Sequence, residues 1–252
     1  MSGVAAVFYR DYRQRITNIG WLFWDLLVPV AYLVLFGLGF ERAMPTGFHI
    51  ADTQVSYIAF LLPGILAMTS FGVAMNTSWG FFMDKDSGIF YELLTYPITR
   101  EQLLIGKICF NVLLSITGTI LVILVAVLAL DVELRLATIP LTLLIVAVTT
   151  AGWFFLFSIF AVRLHRMDSF NTLTSAAYII LMFVSTLFYP IEELPAWFRG
   201  AALLNPVTWQ VDITRYSMLG ITPPALLLEA LAFLAFTVVC LWLSARTIGR
   251  AG

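Results

Sequence analysis

The chain has 252 residues, 61% of them hydrophobic, with 14 lysines and arginines against 15 aspartates and glutamates and a net charge of -1. Soluble domains carry about 25% charged residues; this chain carries 12%, with a mean hydropathy of +0.94, too few to coat a water-exposed surface. It reads as an integral membrane protein, and its near-neutral charge excludes a nucleic-acid partner.

Residues 4–19 predict an amphipathic helix, with Val4, Phe8, Tyr12, Ile16 and Ile19 on one face and Arg10, Arg13 and Gln14 on the other. With Arg15 as a further basic residue, it suits the headgroup region of the anionic cytoplasmic leaflet. Its charges interrupt the first fifteen residues before any apolar core, so no cleavable signal peptide is expected.

Six apolar runs follow, at about 20–40, 56–80, 103–130, 137–161, 170–190 and 224–244, each near the ~20 residues that cross the hydrocarbon core. The expectation is an all-α, polytopic, single transmembrane domain over 1–252 with six spans. Pro29 and Pro63 lie inside the first two runs, where neighbouring helices can meet the freed carbonyls. Cys109 and Cys240 sit inside later runs and read as small apolar side chains, with neither a disulfide framework nor a zinc site in prospect.

Between the second and third runs, Phe81 to Lys107 holds Asp84, Lys85, Asp86, Glu92, Arg100, Glu101 and Lys107, and this charged stretch is the expected working surface. Ser87 to Tyr96 predicts a short helix that Pro97 stops. Thr99 and Gln102 have the spacing of a capping box, which opens the next helix. Between the fifth and sixth runs, 191–220 is too apolar for a water-filled loop, yet Pro190, Pro195, Pro206, Pro223 and Pro224 deny it a full span. Short helices re-entering the outer leaflet fit that pattern, and so does an outer loop with interfacial Trp197 and Trp209.

Ten of the lysines and arginines fall on the side of the N-terminus, the 81–107 segment, the fourth-to-fifth loop and the C-terminus. Four, Arg42, Arg135, Arg199 and Arg215, fall on the other. The richer side is cytoplasmic by the positive-inside rule, which puts both termini there.

No phosphate-binding loop, nucleophile elbow or H-E-x-x-H pair occurs, so neither ATP hydrolysis nor proteolysis is expected of this chain and no catalytic or metal site is assigned. His49 and His165 fall in loops on opposite sides of the bilayer and cannot share a site. Asp25 and Glu229 are the carboxylates within apolar runs, both near run ends, where an interfacial position is cheaper than the bilayer centre.

The run Lys85, Asp86, Gly88, Glu92, Leu93, Leu94, Pro97, Ile98, Thr99 and Arg100, followed by Gly106 and Lys107, resembles the signature of type-2 ATP-binding-cassette exporter permeases. Phe188 to Pro190, Leu194, Pro195, Leu204 to Pro206, Asp212 and Arg215 resemble the same family's outer region, and Leu61 to Gly64 its second-helix motif. Asp86 stands where glutamate is frequent, and Phe90 and Tyr91 where smaller residues are common.

The resemblance implies a six-helix half-transporter in the bacterial cytoplasmic membrane, paired with a second copy or paralogue and with two separate ATPase subunits that bind ATP and magnesium. It makes 81–100 the segment that docks on the ATPase, through Asp84, Lys85, Asp86, Gly88, Glu92, Leu94, Pro97 and Arg100. It makes Pro190, Leu194, Pro195, Asn205, Pro206 and Arg215 an outer gate region. Candidate linings of a translocation path are Asn76, Trp79, Asn111, Ser115, Trp153 and Phe155, whose aromatics suit sugar stacking or an interfacial belt. The implied cargo is amphipathic, lipid-linked or carbohydrate. The competing reading is an ATPase-independent carrier or assembly scaffold, which predicts inverted repeats or charges at mid-membrane.

Overall fold

A computed structural model describes residues 2–43, 47–50, 53–191 and 195–250. The order is α1 (Gly3–Thr17), α2 (Ile19–Ala43), β1 (Phe48–Ile50), β2 (Thr53–Val55), α3 (Tyr57–Asp86), α4 (Ile89–Leu93), α5 (Arg100–Leu130), α6 (Ile139–Arg163), α7 (Met167–Phe183), α8 (Ala196–Leu203), α9 (Pro206–Leu219) and α10 (Leu226–Arg250). The described residues are helical as expected, apart from one antiparallel strand pair in which Phe48 pairs with Val55 and His49 with Gln54.

Among the described residues, α2, α3, α5, α6 and α10 are long and apolar enough to cross a membrane. The run expected at 170–190 needs correction: α7 stops at Phe183, and the chain that follows is not helical. Its open carbonyls find donors elsewhere, because Asn205 Nδ2 donates to Leu181 at 2.7 Å and to Val184 at 2.8 Å, and the Tyr189 hydroxyl donates to Phe183. Those bonds replace the amides of a further helical turn. The 191–220 region forms two short helices, α8 and α9, separated at Asn205, whose side chain caps the Val207 amide at 2.9 Å.

The buried helix α3 is the axis of the bundle, packed against α2, α5, α6 and α9, while α10 lies against α6 and α9. Around it Phe71 meets Trp153 at 4.7 Å and Phe157 at 5.1 Å, edge to face. Polar side chains pair inside this apolar core, where hydrogen bonds between helices take the place of water. Gln210 of α9 accepts from Trp153 Nε1 at 2.7 Å and donates to Ser70 at 2.5 Å and Thr149 at 2.9 Å. Thr150 donates to Ser115 at 2.8 Å, and Ser158 pairs with Ser244 at 2.7 Å.

These contacts relocate several expected path residues. Trp153, Phe155, Asn111 and Ser115 are buried within this single chain, Trp153 and Ser115 through the bonds just given. Asn76 and Trp79 are half-buried and line a cleft between α1, α2 and α3. The two cysteines differ: Cys240 is buried and Cys109 is on an exposed helix face.

Candidate functional site: a charge-clamped hub at one end of the bundle

The 81–107 segment divides into two populations. Lys85 and Asp86 follow Asp84 at the end of α3, and successive helical residues are turned by about 100°, so the three charges must point in different directions. Asp84 turns inward and is 4% exposed, Lys85 lies along α6, and Asp86 stays outside. Lys107, about two turns into α5, is 3% exposed. The reading of Asp84 and Lys107 as surface charges is therefore corrected.

Their burial is compensated by α1. Lys107 Nζ donates to Asp84 Oδ2 at 2.8 Å and to Asp11 Oδ2 at 3.2 Å, and Arg10 Nη2 donates to Asp84 Oδ1 at 2.5 Å. Lys107 also sits 5.3 Å from the centre of the Phe81 ring. Four alternating charges from three helices make a closed cluster in which each residue meets at least one opposite charge. A buried charge survives only with such partners.

α1 is a helix as expected, and it adds a packing face of its own. Val7 and Asp11 are buried against α5, and Phe8 packs edge to face on Phe110 at 6.1 Å. Gly106 permits this approach: a Cβ there would stand 2.7 Å from the Val7 Cβ. Tyr9, Tyr12 and Ile16 keep a separate exposed apolar strip, and Arg13 stays exposed. Arg15 reaches α2 instead, meeting Asp25 at 2.5 Å, where Asn76 Nδ2 also donates at 2.7 Å. Asp25 is 6% exposed, so it is a buried, paired acid near the start of α2.

The remaining cations of the segment cap other helices. Lys85 Nζ donates to the carbonyls of Val162 and, at 2.9 Å, Leu164, at the open end of α6. Arg100 donates to Ile248 at 3.1 Å and to Gly249, at the end of α10. Cations at helix C-termini meet both the unpaired carbonyls and the negative end of the dipole. These bonds gather the N-terminus, the 81–107 segment, the start of the α6–α7 loop with exposed His165, and the end of α10 at one end of the bundle.

What stays outside is a short crest. Gly88, at φ 81°, a left-handed value that disfavours any side chain with a Cβ, turns the chain from α3 into α4. Phe90 is buried against Phe81 at 5.7 Å, which explains why a large ring stands there: it pins α4 to the end of α3. Ile89, Tyr91, Glu92 and Tyr96 are exposed beside Asp86 and Pro97, and Leu94 is half-buried. The Thr99–Gln102 capping box is present in both directions at 3.2 Å and restarts the helix.

At the opposite end, Arg215 is 6% exposed, donates to Asp212 at 2.7 Å and to the Thr186 carbonyl at 3.1 Å, and lies 4.2 Å from the Phe60 ring centre. Asn205 and Pro206 open α9, Pro195 precedes α8, and Pro190 is buried; Leu194 falls outside the described residues. Glu229, expected at the interface, is 5% exposed. Sequence reasoning missed the acidic member Asp11 of the inner cluster; its signal is a carboxylate on the apolar side of α1, four residues after Val7. Among the described residues no three histidines, cysteines or acids are placed to hold a metal ion.

Comparison with known proteins agrees with this architecture. A transport permease of Cyanophora paradoxa, ycf38, is 28% identical over 223 residues, covering 84% of this chain and 71% of the relative. The inner membrane transport permease YadH of Escherichia coli K12 is 25% identical over 222 residues, 85% of each chain. The multidrug ABC transporter permease YbhR of the same strain is 24% identical over 168 residues, 65% of this chain and 45% of that one. The family model described as ABC-2 type transporter matches residues 3–219, and with several helices able to span a bilayer and the whole 81–107 hub inside that match, the chain belongs to the ABC-2 type transporter family as a multi-pass membrane transport permease.

Proposed function

We propose that this permease is the membrane half of an exporter driven by separate ATPase subunits, which press on α4 and the turn after it. The observation that carries this reading is the contrast within the hub: an exposed crest of Asp86, Ile89, Tyr91, Glu92 and Tyr96 stands on a base tied by Lys85, Arg100 and Lys107 to α6, α10 and α1. A push on the crest then moves several helices together, because coupling needs a rigid element that both sites bias. Two ATPase subunits, holding ATP and magnesium, and a second permease copy or paralogue complete the machine, in the bacterial cytoplasmic membrane with both termini and the crest inside. The cargo class is amphipathic, lipid-linked or carbohydrate.

The crest supplies acidic and aromatic groups and no exposed lysine, so its socket on the ATPase is basic-rimmed and apolar-floored. Glu92→Ala in the reconstituted complex leaves insertion and assembly intact and separates ATP turnover from export. Export at the wild-type rate in that variant refutes the lever. A permease that purifies and transports with no nucleotide-binding subunit would establish the carrier or scaffold reading in its place.

A further inference from the structure

A cavity of 520 Å³ lies at the end of the bundle away from α4, between Phe60 of α3, the chain after α7, α8, α9 and the first turn of α10. Phe60 and Lys85 are 25 residues apart on α3, roughly 38 Å at 1.5 Å per residue, so this cavity and the charge-clamped hub are separate places. Its volume is that of a small-molecule site, and Phe60, Leu203, Ile221 and Pro223 give it apolar walls.

One acid in its lining lacks a donor. Glu229 is 5% exposed, lines the cavity from α10, and its Oε2 accepts no hydrogen bond. The neighbouring acid, Asp212, is engaged by Arg215 Nη1 at 2.7 Å and by the Thr186 hydroxyl at 3.3 Å. Arg215 in turn bonds the Thr186 carbonyl and covers the Phe60 ring. A buried carboxylate oxygen with no donor is costly in apolar surroundings, and a charge-assisted donor relieves that cost best.

We propose that this cavity binds an amphiphile bearing a protonated amine, whose ammonium donates to the Glu229 carboxylate while its apolar part lies along Phe60, Leu203 and Ile221. The amine has two sources, an aminophospholipid of the bilayer or a transported amphiphile. The site is independent of how transport is driven.

Dodecylamine titrated by calorimetry into the purified full chain, in a neutral maltoside detergent, binds saturably, and dodecanol binds far less. Glu229→Gln keeps the side chain's shape and removes its charge; it weakens dodecylamine by about tenfold or more. Equal affinity in wild type and E229Q overturns the assignment. Should E229Q fail to fold, Ala225→Phe fills the cavity with its charges in place, and dodecylamine binding that survives it overturns the proposal equally. Native mass spectrometry of protein released from phosphatidylethanolamine or phosphatidylglycerol nanodiscs separates the sources. Phosphatidylethanolamine held by wild type and lost from E229Q makes the occupant a membrane lipid; dodecylamine binding with no lipid retained makes it the transported amphiphile.

Discussion

The two ends of the bundle handle buried charge in opposite ways. At the α4 end, Asp84, Asp11, Lys107 and Arg10 close on one another, each with a partner of opposite sign within 3.2 Å. At the far end, Asp212 and Arg215 pair, but Glu229, beside the cavity, keeps a buried oxygen with no donor. A closed cluster resists displacement, since separating its members strands charges in an apolar medium. An open one holds unused binding capacity. The same kind of residue therefore ties helices together at one end and is left without a donor at the other.

The sharpest way to break this contrast is Lys107→Met. It removes the shared donor of Asp84 and Asp11, and loss of one member of a buried charge cluster costs about 3–5 kcal/mol. The thermal midpoint of the detergent-purified permease falls accordingly; an unchanged midpoint means that the cluster is not the keystone of this end. Gly106→Val follows, with a cost of about 1–3 kcal/mol from overpacking against Val7. Its signature is selective: limited proteolysis cuts α1 sooner while the rest of the chain keeps its protection. Lys85→Met removes a cation from the end of α6 and costs about 0.3–1 kcal/mol, seen as faster amide exchange near Val162 and Leu164. Smallest of all, Glu92→Ala on the exposed crest changes stability by less than about 0.5 kcal/mol, while export falls. Loss of stability in that variant contradicts the division between clamped base and free crest.

Local chemistry made parts of this arrangement legible beforehand. The capping box at Thr99 and Gln102 and the breaks at Pro195 and Pro206 each act through the backbone of a few neighbouring residues and appear where the spacing puts them, whereas the short helix expected over 87–96 is only Ile89–Leu93 and ends before Pro97 is reached. The end of α7 was harder, because what terminates it is Asn205, 22 residues beyond Phe183, donating to carbonyls that no local pattern marks as open. The same holds for Asp25, which looks interfacial by position and is buried through Arg15 and Asn76.

Composition and periodicity alone determined that this is a multi-span helical membrane protein with a charged elbow after its second long helix, because bilayer thickness and helix rise leave an apolar run few other forms. Only the tertiary structure decided which charges of the elbow face inward. Asp84, Lys85 and Asp86 are equivalent in the chain, and their roles separate only when Arg10 and Lys107, from helices 74 and 23 residues away, approach one of them. A charge's cost of burial depends on the partner that folding brings to it, and that partner is set by packing rather than by sequence neighbours.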